Sequence, residues 1–320
     1  MKLSIIFRGC ITVSLIICCC RSSLAVPIVK RDVEYVLLSR FESVVSVQTN
    51  FLRDSINSSQ LPNGEIGGLN IPFDYFLQGL RKLRKDFVTD LLAHSDAVFV
   101  GASNFSPPVG LGVVHSKRCY IVILDKSNKF QLRDYFSDSP MLSVPDAPVW
   151  KWSASLNEFG EEDSRPSLLF AAQIAQSYVL ISNDMADIQA IGKRLASPDI
   201  RVPEAISTRE LYLADKHVLW GYRQYRPAQD PTAAGTIGVT SSATALIIFL
   251  DEEKRTLVLR LLASPSDQDN VSKLTLKSNF PSLSPVDTGV WETSIRINDD
   301  QETNERLFFV MWRFGFGAYI

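Results

Sequence analysis

The sequence predicts an α+β fold, mostly antiparallel sheet built from β-hairpins, with a few flanking helices. Three observations carry this expectation. Short apolar runs recur along the chain, several of them paired across short polar turns. Two segments, Phe73–Leu92 and Met185–Leu195, change to apolar spacings of three and four. Finally, 46% of the 320 residues are hydrophobic and 10% aromatic, enough for one large or two ordinary domains with proper cores.

Residues 1–25 stand apart from the rest. Lys2 and Arg8 precede an apolar run from Gly9 to Cys20, and Ser23-Leu24-Ala25 ends the segment with small residues where a signal peptidase reads. This is the order of a secretory signal, and the run is short for a membrane span. The expectation is cleavage after Ala25 and a secreted or periplasmic mature protein. A lipoprotein signal needs a small residue before the modified Cys, whereas Cys18 follows Ile17 and the next two follow cysteines. The alternative is an uncleaved leader serving as an anchor. Residues 1–25 hold three basic residues and no acid, so their removal takes the formal net charge from −2 to −5. They also hold four of the five cysteines. Cys119 is then the single thiol, no internal disulfide forms, and the fold rests on core burial.

Along the mature chain, Phe41 to about Ser58 reads as a loose helix, followed by a loop through Asn63-Gly64 and Gly67-Gly68. After Pro72, apolar residues from Phe73 to Leu92 share one helical face, with Arg81, Lys82 and Lys85 opposite. Such a basic face suits an anionic membrane surface. The interleaved acids Asp74, Asp86 and Asp90 dilute the charge, which favours a core-packing helix. The period then shortens. Asp96–Ser103 reads as a strand, Val109–Val114 and Cys119–Leu124 as a hairpin, and Trp150-Lys151-Trp152 as a further strand. Leu168–Gln173 and Tyr178–Ser182 form a second hairpin. A helix starts at Asp184, whose carboxylate caps the first turn, and Met185, Ile188, Ile191 and Leu195 form its apolar stripe.

Pro198 and Pro203 bracket a loop that divides an α+β domain, 26–200, from a second, β-rich half, 201–320. There Val218–Tyr225 is a strand. Ala245–Leu250 and Thr256–Leu262 flank the charged turn Asp251-Glu252-Glu253-Lys254-Arg255, the clearest hairpin in the chain. Val290–Ile297 and Leu307–Trp312 add further strand. Hairpins followed by helical segments in both halves hint at a duplicated α+β unit.

Candidate chemistry is sparse. Basic residues are not massed, which argues against nucleic acid as a partner. Cys119 lies in the strand-like run Cys-Tyr-Ile-Val-Ile-Leu, four residues after His115, and reads as an inert core thiol. His94, His115 and His217 are too far apart to share a helical metal face, and Gly110-Leu111-Gly112 opens no helix. No cofactor or metal is expected, and the catalytic residues of any enzyme remain unknown from sequence. The one informative cluster is Trp220-Gly221-Tyr222-Arg223-Gln224-Tyr225-Arg226. Trp220, Tyr222, Arg223, Tyr225 and Arg226 are the residue types that dominate protein interfaces, and their rings stack on sugars. They are the candidate surface for a protein or saccharide partner. The plain alternative is strand packing with Arg stems laid over rings.

Tyr178-Val179-Leu180-Ile181-Ser182-Asn183-Asp184, followed by Asp187-Ile188-Gln189-Ala190, resembles a strand-then-helix segment of uncharacterised exported bacterial proteins with repeated α+β units. The resemblance implies fold and compartment and carries over no functional residue. The leading functional expectation is a non-enzymatic binding or envelope-associated protein, acting through Trp220–Arg226 or the tail after Leu307. The alternatives are a secreted hydrolase whose site assembles from distant residues, and a membrane-peripheral protein held by its leader and the 73–92 helix. An enzyme asks for a concave pocket with convergent polar groups and a perturbed titratable residue. A binding protein asks for an exposed apolar patch and no such pocket.

Overall fold

Val44, Val45 and Val47 are β-branched and stiff about χ1, which favours extended backbone. In the computed structural model, which describes residues 30–50, 85–103, 117–127, 129–136, 142–144, 147–156, 162–197, 217–224, 243–263 and 283–296, they form strand β1 (Ser43–Gln48). This corrects the helix expected from Phe41 onward. A short helix, α1 (Lys30–Leu38), ends just before it instead. β1 is buried along nearly its whole length and pairs with a strand on each edge.

Eleven further strands join it in one twelve-stranded sheet. They are β2 (Ser95–Ser103), β3 (Lys117–Leu124), β4 (Leu142–Val144), β5 (Ala147–Leu156), β6 (Glu162–Ile174) and β7 (Tyr178–Ser182). The remainder are β8 (Leu219–Gln224), β9 (Ala243–Asp251), β10 (Thr256–Ala263), β11 (Ser284–Asp287) and β12 (Val290–Arg296). The order is β11-β12-β10-β9-β8-β1-β2-β3-β7-β6-β5-β4, and every pairing is antiparallel. The hairpins β6–β7 and β9–β10 fall where the sequence puts them. Cys119–Leu124, expected to form a hairpin with 109–114, instead pairs with β2 on one edge and β7 on the other, which corrects that hairpin. Residues 73–84, 109–114, the leader and the tail after Leu307 lie outside the described residues.

Each face of the sheet carries its own core. On one, Phe87, Leu91 and Leu92 of helix α2 (Lys85–Ala93) pack with Val45, Val47, Val98 and Val122. On the other, Val33, Val36 and Leu37 of α1, with Ile188, Ile191 and Leu195 of helix α3 (Met185–Leu195), pack on Val44, Phe99, Ile121 and Leu180. Burial on both faces explains why β3 and β9 read as continuous apolar runs rather than alternating ones: each residue meets a core whichever way it points. Among the described residues no helix is long and apolar enough to cross a membrane.

The capped start of α3 is as expected. The Asp184 carboxylate accepts from the Ala186 N–H at 2.9 Å, and Lys117 Nζ lies 2.6 Å from its other oxygen. The ammonium, then the Ala186 N–H, holds this carboxyl below the usual range. One turn on, Asp187 Oδ1 accepts from Arg40 Nε at 2.9 Å and Nη2 at 2.6 Å. Arg194 at the other end of α3 donates to Ser39 Oγ. The end of α1 is thereby tied to both ends of α3.

Beneath α1 the sheet is built small. Val44, Gly101 and Cys119 sit abreast on adjacent strands. A Cβ on Gly101 would lie 2.5 Å from Phe41 Cδ2 and 3.0 Å from Leu37 Cδ2. Gly101→Ala must displace Phe41, and is expected to destabilise by about 1–3 kcal/mol, read as a lower urea midpoint at unchanged slope. An unchanged midpoint would show that α1 does not rest on β2 in this way.

Candidate ligand-binding cleft

The described members of the Trp220 cluster do not form a surface. β8 lies between β1 and β9, and Trp220, Tyr222 and Arg223 are 0%, 5% and 5% exposed. The two rings stack, centroids 6.2 Å apart at 19°, within the core under α1. Both aromatics share one face of β8, and because this strand is central and covered on both sides, that face points inward. Tyr225 and Arg226 lie outside the described residues. Cys119 is fully buried, and burial pushes its thiol far above the ordinary range, so it carries no nucleophilic thiolate. His115 lies outside the described residues.

The expected apolar patch is also missing among the described residues. Their exposed large hydrophobics are Leu168 in β6 and Val286 in β11, far apart in the strand order. A cleft of about 510 Å³, the feature expected of an enzyme rather than of a binding protein, is present instead, where β5 begins and β6 ends; its described lining lacks the titratable acid or base that an enzyme also asks for. Its polar lining is Gln131, Arg133, Gln173 and Gln176, and its aromatic wall is Trp150. Ala147, Pro148, Ile174, Ala175 and Ala196 supply small apolar surface. The volume falls within the range of small-ligand sites.

Long-range contacts assemble these side chains. Arg133 is presented by a short 3-10 helix, Leu132–Tyr135, whose Leu132 is buried. Gln173 in β6 fixes that turn: Oε1 accepts from the Leu132 N–H at 2.8 Å, and Nε2 donates to Phe130 O at 3.3 Å. Behind it, Tyr135 stacks on Phe130 at 5.4 Å and packs edge-on to Phe87 of α2 at 5.1 Å. The Tyr135 hydroxyl donates to Asp90. Burial, reinforced by that carboxylate, pushes the phenol above its ordinary range and keeps it a donor. Phe136 stacks on Trp150 at 5.5 Å, backing the cleft wall.

Gln176 arrives on a strained turn. Ser177 N–H donates to Ile174 O at 3.0 Å, and between them Ala175 and Gln176 have φ of 49° and 58°. Two successive left-handed residues make a type I′ turn, which favours Asn-Gly. With neither present, the turn carries strain of order 1 kcal/mol per residue. Among the described residues the amides of Gln131 and Gln176 engage no other side chain or backbone group. Arg133 has only a loose pairing, with Nε 3.5 Å from Asp134 Oδ1 and both side chains well exposed. No Asp, Glu, His, Cys or Lys is among the described residues that line the cleft. The described lining therefore offers hydrogen bonds and one positive charge.

Two histidines sit elsewhere. His94 lies between Asp90 at 3.6 Å and Asp125 at 3.9 Å. Among the described residues no three His, Cys, Asp or Glu side chains converge in an arrangement that holds a metal. His217 stacks on Phe249 at 4.4 Å, and its Nδ1 donates to Leu250 O at 2.9 Å. The tautomer follows from the carbonyl, which can only accept.

No family model and no curated protein matches this chain. Three solved crystal forms of TP0453, a protein of Treponema, are similar to it. Form I aligns with TM-score 0.44 and 9% identity over 85% of this chain and 96% of that one. Form IV gives 0.40 and 10% over 84% and 92%. Form III gives 0.40 and 9% over 83% and 94%.

Burial holds the His217 pKa below its ordinary value. The Leu250 carbonyl and the Asp251 and Glu252 carboxylates partly offset this, while Arg260 adds to the lowering. The unfolded chain, titrating near pH 6.5, therefore binds more protons. The contribution is fully present above that pH and is lost as pH falls toward the folded value. Urea midpoints are expected to drop between about pH 7 and pH 5, and the drop to shrink in His217→Gln. An identical slope in the variant would assign the pH dependence to other groups.

Proposed function

We propose that this chain is an exported, non-enzymatic binding protein whose ligand occupies the cleft at the ends of β5 and β6. The observation that carries the reading is the lining itself. Two amides without a partner among the described residues and an exposed guanidinium line the cleft together with Trp150, with no general acid or base among the described lining residues. Hydrolytic chemistry needs such a group within reach of the reacting atoms. Recognition needs donors and acceptors held in place, which Gln173 and the aromatic stack behind Tyr135 provide.

The strained turn adds support. Strain persists where the surrounding structure imposes it, and it concentrates at sites with a function. A hairpin selected for stability alone would carry Asn-Gly here; this one displays a glutamine.

The test is ligand-observed NMR on the full-length protein, using a panel of small saccharides, amino acids and organic acids. Binders are expected to weaken about tenfold in Arg133→Ala and in Gln176→Gly, and to be recovered chemically intact. Gln176→Gly is also expected to leave stability unchanged or raise it by about 1 kcal/mol, because glycine accepts the left-handed backbone. Turnover of a binder, or binding indifferent to both substitutions, would overturn the reading.

A further inference from the structure

Resting on the cleft reading, we propose that the ligand is an acidic saccharide: a hydroxyl-rich ring or short oligomer bearing a carboxylate. Three features of the lining select this class.

The first is charge. The described lining holds Arg133 and no acidic side chain, in a chain whose formal net charge is −2. The one charged side chain of the described lining is therefore a cation, on a chain of slightly negative net charge. A guanidinium presents donors in a planar fork that matches a carboxylate bidentately. The Asp134 contact at 3.5 Å engages Nε alone and lies on an exposed rim, so it leaves the fork open. A single Arg suits one carboxylate. A nucleotide or other polyphosphate would call for several cations or a cradle of backbone N–H groups.

The second is the pairing of amides. Gln131 and Gln176 each offer two donors and one acceptor oxygen. A sugar hydroxyl both donates and accepts, so adjacent hydroxyls satisfy an amide in both directions. A simple aliphatic acid would leave these groups unmatched. An extended peptide would instead use an open strand edge, whereas the rim here is the β6–β7 turn and the C-terminal end of α3, at Ala175, Gln176 and Ala196.

The third is the apolar part. Trp150 is 7% exposed and is braced by Phe136, so it presents a fixed strip of indole. The small side chains of Ala147, Pro148 and Ala175 leave room for the C–H face of a sugar ring against it. They offer no deep apolar hole for an alkyl chain.

The experiment is isothermal titration of the full-length protein with trigalacturonic acid and with uncharged maltotriose. The acidic trimer is expected to bind at least about tenfold more tightly. That preference is expected to disappear in Arg133→Gln, and affinity for the acid to fall with added salt. Both substitution sites are at the surface, and a thermal melt of each variant checks that the fold is retained. Equal binding of both sugars, lost in Gln176→Ala, overturns the acidic class and leaves the cleft as the site. Binding of trigalacturonic acid unchanged in both variants overturns the cleft reading as well. Binding of neither sugar overturns the saccharide class, and the cleft reading is then decided by the NMR panel.

Discussion

The pairing of β1 with β2 on one edge and β8 on the other joins β2–β7 and β8–β12 into one sheet. Val45 sits opposite Val100 on the first edge and Gly221 on the second. The two neighbours of a six-residue strand thus come from points more than a hundred residues apart in the chain. Loop closure of that length costs entropy that only long-range burial repays, and β1 supplies that burial on both faces, with Val44 in one core and Val45 and Val47 in the other. The helices then arrange themselves around it. α1 needs the shallow floor of Val44, Gly101 and Cys119, and α3 is tied to α1 through Arg40 and Asp187.

The cleft is a consequence of where this sheet stops. The chain turns there between β6 and β7, beside the C-terminal end of α3. The 3-10 helix closes the adjoining side, held by one glutamine amide and by an aromatic group running from Phe87 to Trp150. These contacts fix the backbone that presents Gln131 and Arg133. The non-glycine type I′ turn fits the same account: stability is given up where a side chain is needed at a strained position.

Hairpins and the α3 cap were legible because their signals are local. Asp251 to Arg255 is a charged turn between two apolar runs, and Asp184 lies one residue before a helical stripe. Tyr178 to Ala190 forms a strand and a capped helix, as its apolar run and Asp184 imply. β1 was missed because Phe41, Val44, Val45 and Val47 also fit helical spacing, and its partners are remote. Trp220 and Tyr222 were misassigned for the same reason: composition marks them as interface residues, but only the sheet order shows β8 to be central. The cleft had no local signal. Its lining runs from Gln131 to Ala196 and is brought together by pairings of β5, β6 and β7, and Ala-Gln carries none of the residues that announce a I′ turn.

The account's central claim is that one cooperative sheet, centred on β1, supports everything else, including the cleft. Native-state hydrogen exchange of the full-length protein tests it most directly. The amides of residues 44–47, 98–101 and 220–223 should share the slowest exchange and open only with global unfolding. The 3-10 helix and the turn at residues 175–177 should open locally and sooner. Exchange of β8 to β10 as an independent unit, with β1 and β2 still protected, would contradict the claim.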